Sequence, residues 1–201
     1  MIEGPRPNPE IPSGLTIGRT LSALRRREGR ISQQELAERS KISQKMLGHI
    51  EYDTRIPSPL TIVDIGNALG ISPSQIDTLL LIGAHTSIAK AREATPVRPT
   101  KLFEAAAPIN TSLPDENLGR MYHELRDRTG LSQEGFAKLC GISKSLVDKI
   151  ERDQKIPKPV TVADICDGIG IPQTDPIRDI LLLKGAHQSI KEERNFYKRR
   201  I

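Results

Sequence analysis

The sequence predicts an all-α protein that contains two similar helical domains in tandem. The stretch SQQELAERSKISQKMLGHIE at residues 32–51 occurs again as SQEGFAKLCGISKSLVDKIE at residues 132–151. Apolar residues in both copies recur at intervals of three and four, the period of an amphipathic helix, and prolines and glycines stand between the periodic segments. A chain of 201 residues has room for two small domains, so the repeat indicates duplication of one folding unit.

Each copy of the repeat predicts two short helices joined by a tight turn. Ser32, followed three residues later by a glutamate, has the spacing of a capping box at a helix start, and the second copy has a weaker version. Gly141 can supply the left-handed conformation of a sharp helix exit, whereas Lys41 holds that place in the first copy and predicts mild strain. Ser43 and Ser143 are candidate caps for the second helix of each pair.

Three further helices are predicted in each copy. A first helix precedes the repeat, in LTIGRTLSALRRREG and in ENLGRMYHELRDRTG. Paired prolines after the repeat break the pattern and start a fourth helix, which ends at Gly70 or Gly170. A fifth helix contains LLLIGAH or LLLKGAH. The offset between the copies is 101 in the first helices, 100 in the centre and 102 in the fifth, so insertions fall between helices.

These helices predict two domains, at residues 15–93 and 116–201, and the second domain ends in a basic tail. Residues 1–14 contain four prolines without periodicity and predict a flexible arm, in which only Arg6 could serve a minor groove. Residues 94–115 are rich in proline, threonine and alanine and predict a linker between the domains.

Composition and charge argue against several classes of protein. No run of about 18 apolar residues occurs, and the first residues lack the basic and apolar regions of a signal peptide, so a cytoplasmic, nucleoid-associated protein is expected. A net charge of +5 and a pI near 9.3 favour an anionic partner. Aromatic residues make up 3% of the chain, which leaves few platforms for stacking on single-stranded nucleic acid.

No chemical motif predicts an enzyme, a metal site or another cofactor. The sequence has no glycine-rich phosphate loop, no HExxH motif and no CxxC pair. Cys140 and Cys166 lack metal-ligand spacing and are predicted to be buried thiols. His85 and His187, which recur in the fifth helices, are predicted to be satisfied histidines at a packing face rather than metal ligands or pH sensors.

Four short motifs recur in both copies. A Gly-Arg pair lies in the first helix, Ser-Gln opens the second, Ile-Glu closes the third, and a proline break precedes a fourth helix that ends in glycine. In these motifs each copy resembles the Cro and phage-repressor (XRE) type of helix-turn-helix domain, over most of each half of the chain. The resemblance implies two lambda-repressor-like five-helix domains in tandem that bind double-stranded DNA.

The resemblance also implies roles for particular residues. Early side chains of the third helix would face base edges in the major groove, and the glutamine of the second helix would bond to a phosphate. An arginine of the first helix would pair with the glutamate that closes the third. The base-facing residues are then Gln44, Lys45, Met46, His49, Lys144, Ser145, Leu146 and Lys149, the expected phosphate contacts are Gln33, Ser43, Arg55, Gln133, Ser143, Lys155 and Lys158, and the scaffold pairs are Arg25 with Glu51 and Arg126 with Glu151.

Several of these assignments have a structural alternative. Met46 and Leu146 either touch a thymine methyl group or pack against the fourth helix. The polar and cationic side chains are either DNA contacts or ordinary solvated residues of a helical surface. The sequence does not choose between these alternatives.

The fifth helices share a segment, LLLxGAHxSI, whose leucines need burial. One solution packs the two fifth helices on each other about a pseudo-two-fold axis, so that one chain imitates a homodimer. Half-sites on DNA would then lie about one helical turn apart. The other solution uses the same surface between two chains, as self-association, and the sequence leaves both open.

Two functions fit these observations. The first is a sequence-specific regulator of transcription, such as a repressor, that reads two non-identical half-sites because the base-facing residues of the two copies differ. The second is an antitoxin-like or anti-regulator protein in which one copy binds a protein partner. Basic residues persist on the third helix of both copies, including Lys144 and Lys149, and this favours the first function.

Overall fold

The computed structural model of the protein describes residues 15–28, 31–94 and 117–199. These residues contain ten α-helices and no strand, which confirms the predicted all-α class. The arm predicted at 1–14, and the predicted linker apart from its first residue, lie outside the described residues. The helices are α1 (Ile17–Glu28), α2 (Gln33–Arg39), α3 (Gln44–Glu51), α4 (Pro59–Leu69), α5 (Pro73–Ala94), α6 (Leu118–Thr129), α7 (Gln133–Leu139), α8 (Lys144–Glu151), α9 (Pro159–Gly168) and α10 (Pro176–Lys198).

The described residues divide into two compact units. The first unit takes in the described residues of Met1–Ala89 and Ala186–Ile201, which are α1 to α4, most of α5 and the C-terminal half of α10. The second takes in those of Lys90–Gly185, which are the end of α5, α6 to α9 and the N-terminal half of α10. Each unit therefore contains one complete copy of the repeat.

Serine caps and a left-handed residue shape the turn between the second and third helices. The Ser32 hydroxyl accepts a hydrogen bond from the Glu35 amide at 3.1 Å, while the Glu35 carboxylate pairs with Arg39 rather than completing a capping box. The turn then passes through Lys41 at φ 56°, and the second unit has Gly141 there at φ 67°. Lys41 thus adopts the conformation that glycine favours, and the strain predicted for this turn follows from its side chain.

An aspartate just after each third helix binds the start of the first helix. The Asp53 carboxylate accepts a hydrogen bond from the Gly18 amide at 2.9 Å, and Asp153 accepts one from Gly119 at 2.7 Å. Both aspartates are left-handed, with φ near 56° and 55°. Amides in the first turn of a helix lack intrahelical acceptors, so each carboxylate satisfies one of them and links the end of the third helix to the first.

The first helix passes very close to the end of the third. A Cβ added at Gly18 would lie 2.2 Å from the Ile50 carbonyl oxygen, and one added at Gly119 would lie 2.6 Å from that of Glu151. Contacts this short are excluded between real atoms, so glycine is required at both positions. The close packing of the first helix on the third therefore explains the glycine of the Gly-Arg motif.

Prolines begin the fourth helices and left-handed glycines follow them. Pro59 and Pro159 lie in the first turns of α4 and α9, where a missing amide costs nothing. Gly70 caps α4 at φ 71°, as predicted. Gly170 is left-handed too, at φ 76°, but α9 ends two residues earlier than the sequence suggested.

Most leucines of the fifth helices are buried within the single chain, and Leu183 is half-buried. Residues 79–82 of α5 are each 3% exposed or less, and Leu181 and Leu182 of α10 are also buried. Thr86 on α5 accepts a hydrogen bond from the Ile17 amide at 3.1 Å and so helps to fix the start of α1. Among the described helices none has the length and apolarity needed to cross a bilayer.

Gly18→Ala is expected to destabilise the first unit by about 1 to 3 kcal/mol, because the added methyl group must displace backbone carbonyls. Gly48→Ala is a matched control, since a Cβ there meets no atom within 4 Å and alanine favours a helix by about 1 kcal/mol. Urea unfolding of the full chain followed by circular dichroism measures both. A Gly18→Ala protein as stable as the unaltered one would contradict the close helix crossing.

Candidate nucleic-acid interface

The third helix of the first unit has one buried and one exposed face. Leu47 and Ile50 are buried against the unit, while Gln44, Lys45 and His49 are exposed. The Ser43 hydroxyl caps the helix by accepting a hydrogen bond from the amide of the third helical residue at 3.1 Å. The exposed face therefore carries the predicted base-facing polar residues together. Met46 is half-buried at its edge, which leaves its role as a base contact a prediction.

The third helix of the second unit, α8, repeats this arrangement with different side chains. Val147 and Ile150 are buried, Lys144, Ser145 and Lys149 are exposed, and Leu146 is half-buried. The Ser143 hydroxyl accepts from the Leu146 amide at 3.2 Å. The face predicted to read bases is thus cationic here, where α3 carries a glutamine, a histidine and one lysine.

An ion pair on α8 was not predicted from the sequence. The Arg152 Nε lies 3.0 Å from Asp148 Oδ1, one turn away along the helix. The first unit has Gly48 and Tyr52 at the corresponding positions and no such pair. A carboxylate and an arginine four residues apart are a recognised helical pair, so the spacing was available as a signal.

His49 is held by the turn that follows α3. Its Nδ1 lies 3.0 Å from the Thr54 hydroxyl oxygen, and that hydroxyl also contacts the His49 carbonyl oxygen at 2.9 Å. This pair leaves Nε2 as the ring nitrogen available to a partner. The imidazole therefore has a preferred orientation on the exposed face.

A carboxylate at the end of α3 joins three helices of the first unit. Arg25 of α1 donates from Nε to Glu51 Oε1 at 2.7 Å and from Nη2 to Oε2 at 3.0 Å. Gln33 of α2 donates from Nε2 to the same Oε2 at 2.7 Å. The bidentate geometry fixes the planes of both charged groups.

The second unit contains the same cluster. Arg126 Nε donates to Glu151 Oε1 at 2.6 Å, and Gln133 Nε2 donates to Oε2 at 2.8 Å. Glu151 has one further neighbour, the Nδ1 of His123 at 3.5 Å. A glutamine amide has two N–H donors, so each glutamine can bind its glutamate with one and retain the other for a phosphate oxygen. The phosphate role of Gln33 and Gln133 stays a prediction that this geometry allows.

The scaffold carboxyl groups have lowered pKa values. Burial by itself would raise the pKa of Glu51, but the hydrogen bonds from Arg25 and Gln33 and the charge of Arg25 outweigh it, and the pKa falls below its ordinary value. The pKa of Glu151 is lowered in the same way, with burial opposed by Arg126 and Gln133. Both carboxylates are therefore ionised in the folded protein at neutral pH.

Exposed cations flank each third helix. Arg55 in the first unit, and Lys155 and Lys158 in the second, are exposed and have no ion pair within the described ranges. Ser43 and Ser143 use their oxygens as helix caps, which leaves each hydroxyl proton free to be donated. Their role as phosphate contacts stays a prediction.

Two cysteines and one histidine that the sequence singled out lie away from the third helices. Cys140 and Cys166 are buried free thiols, and burial raises the pKa of each to about 12, which makes thiolate chemistry unfavourable. His187 Nε2 lies 3.0 Å from Asp77 Oδ1. The part of the chain that the structure describes contains no group of three or more residues arranged to hold a metal ion.

Comparison with known proteins identifies both copies of the repeat. A family described as "Helix-turn-helix" matches residues 21–76, and a family described as "Helix-turn-helix domain" matches residues 117–176. The chain is 40% identical over 53 residues to the uncharacterized HTH-type transcriptional regulator YazB of Bacillus subtilis (strain 168). The matched stretch covers 26% of this chain and 77% of that protein. No solved structure gives a significant match. The resemblance inferred from the sequence motifs is confirmed.

Glu51→Gln is expected to destabilise the first unit by about 3 kcal/mol at pH 7, because Arg25, whose side chain is 12% exposed, loses its charged partner. The folded-state pKa of Glu51 lies below the ordinary 4.5, so its contribution is present above that pH and is lost as pH falls through the folded value. The difference between variant and unaltered protein should therefore shrink in urea unfolding at pH 3.

Glu35→Gln supplies the control for this prediction. Glu35 pairs with Arg39 on the surface of α2, with 44% of its side chain exposed, so its loss should cost no more than about 0.5 kcal/mol. A loss of equal size for both variants, or a Glu51→Gln effect independent of pH, would contradict the structural role assigned to Glu51.

Proposed function

Because the chain belongs to the helix-turn-helix family and contains two such domains in tandem, we propose that it is a sequence-specific, double-stranded DNA-binding regulator of transcription. Each unit would place its third helix in a major groove. The observation that carries the proposal is the exposed polar face of α3 and of α8, each fixed to its unit by a buried glutamate cluster. A rigid, outward-facing helix is what direct reading of base edges requires.

The two faces would read different sequences. Gln44 can pair bidentately with adenine, whereas the exposed lysines of α8 can donate to the acceptors of guanine. Of the four base-facing positions in each copy none holds the same residue in both. We therefore expect two non-identical half-sites rather than a palindrome. Phosphate contacts from Gln33, Gln133 and the flanking cations would set the register of each helix on the duplex.

One chain should be sufficient to occupy this site. Most of the leucines that could have supported self-association are covered within the single chain, with Leu79 2% and Leu181 0% exposed. A homodimer through that surface would have to uncover them first. This burial supports two readers supplied by one chain over two chains joined through their fifth helices.

Footprinting with the third helices altered one at a time tests the proposal. On a duplex selected from random sequence at a stated salt concentration, Gln44→Ala with His49→Ala should remove protection of one half-site, and Lys144→Ala with Lys149→Ala should remove the other. Loss of the bidentate Gln44 contact is expected to cost about 1 to 3 kcal/mol. Unchanged protection with the second helix altered would instead favour the antitoxin-like function, in which that copy binds a protein.

The stoichiometry of the complex tests the sufficiency of one chain. Light scattering after size-exclusion chromatography should give the mass of one chain, 22.3 kDa, for the free protein and one chain per duplex for the complex. Leu81→Asp should unfold the protein rather than separate a dimer, since Leu81 is 3% exposed in the single chain. Two chains per selected duplex would overturn this part of the proposal.

A further inference from the structure

We infer that the two helix-turn-helix domains contribute unequally to DNA binding. The second domain supplies most of the salt-dependent, sequence-independent affinity, and the first supplies most of the sequence discrimination. The inference rests on the proposed function, since it concerns how affinity and sequence discrimination are divided between the same two surfaces. It is carried by charges and hydrogen bonds that differ between two otherwise matching segments.

The segment that contains the third helix and the following turn is more positive in the second copy. Residues 43–58 contain two basic and two acidic side chains, so their net charge is zero with His49 neutral. The aligned residues 143–158 contain five basic and three acidic side chains, so their net charge is +2. The difference lies in the part of each domain that the fold presents to DNA.

The acidic side chains of both segments are already bound inside their own units. Glu51 and Glu151 are bound by the arginines of the first helices. Asp53 and Asp153 accept amides at the start of those helices, and Asp148 is paired with an arginine one turn later. The remaining cations are therefore the charges that a phosphate backbone would meet.

Within these segments four outward cations remain in the second domain and two in the first. All of them are exposed, and none has an ion pair among the described residues. Each cation that neutralises a phosphate of B-DNA contributes about −0.9 to the slope of log K against log salt. The segment at 143–158 can thus account for about twice the salt dependence of the segment at 43–58. The cations are Lys45 and Arg55 in the first domain and Lys144, Lys149, Lys155 and Lys158 in the second.

At position 158 a lysine stands where the first copy has a serine that caps the fourth helix. Its counterpart Ser58 caps α4, with its hydroxyl oxygen 3.2 Å from the Thr61 amide. Lys158 stands at the same place before α9, where the helix has no side-chain cap. Serine is a strongly preferred cap and lysine is not, so lysine at this position is better explained by an external anion than by the fold.

The polar readers of the first domain are more directional. A glutamine amide such as that of Gln44 can pair with adenine through one donor and one acceptor in a fixed plane, and His49 is oriented by Thr54 so that one ring nitrogen is available. Lysine is a flexible point charge with three rotating donors and discriminates less by geometry. The first domain therefore has the side chains suited to choosing a base.

The test compares two charge variants of the full chain on the selected duplex and on a random-sequence duplex, from 50 to 200 mM salt. Lys144→Gln, Lys149→Gln, Lys155→Gln and Lys158→Ser combined should reduce the slope of log K against log salt by about 3.6. Lys45→Gln with Arg55→Gln should reduce it by about 1.8. Equal reductions would overturn the inference. Lys158→Ser restores the cap, so urea unfolding checks that reduced binding does not come from unfolding.

A second pair of variants tests discrimination. Gln44→Ala should lower the ratio of selected to random affinity by about tenfold, whereas Lys144→Ala should lower both affinities and change their ratio less than Gln44→Ala does. The opposite pattern would overturn the inference. Failure of the unaltered chain to bind either duplex at 50 mM salt would reject the proposed function itself, and binding with equal shares would reject only this division.

Discussion

The orientation of the third helix in each unit depends on one carboxylate that is shared by three helices. Glu51 is the last residue of α3, and it binds Arg25 of α1 and Gln33 of α2. The helices α2 and α3 contain seven and eight residues, and isolated helices shorter than about 12 residues are marginal in water. Their direction must therefore be imposed by the rest of the unit. The Glu51 cluster does this without using any side chain of the exposed face.

Apart from the arginine–glutamate scaffold pairs, which the family resemblance implied, the features that could be predicted from the sequence are those set by residues close together in the chain. The left-handed turn at Lys41, the serine caps and the glycine after the fourth helix all depend on neighbours within about four positions. Long-range partners could not be predicted in this way. Asp53 reaches the Gly18 amide 35 positions away, and Arg92 pairs with Asp167 across 75 positions, because periodicity specifies a face but not its partner.

The two units share a helical framework but differ in the side chains of their cores. Phe136 corresponds to Leu36. With the offset of 101 that holds in the first helices, Tyr122 corresponds to Leu21. All four side chains are buried. The Tyr122 hydroxyl has no hydrogen-bond partner among the described residues, and burial raises its pKa well above the ordinary value. An unsatisfied buried hydroxyl costs about 1 to 3 kcal/mol. The geometry of the motif has thus been kept while the packing beneath it changed.

Because the two copies lie in one polypeptide and differ in sequence, they can evolve independently. In a symmetric homodimer a single substitution on the reading helix appears twice in the assembly, so both half-sites must change together. Here α3 and α8 are encoded separately, and the exposed residues of one can vary while those of the other stay fixed. Under the proposed function, such a chain can follow an operator that changes in one half, one mutation at a time.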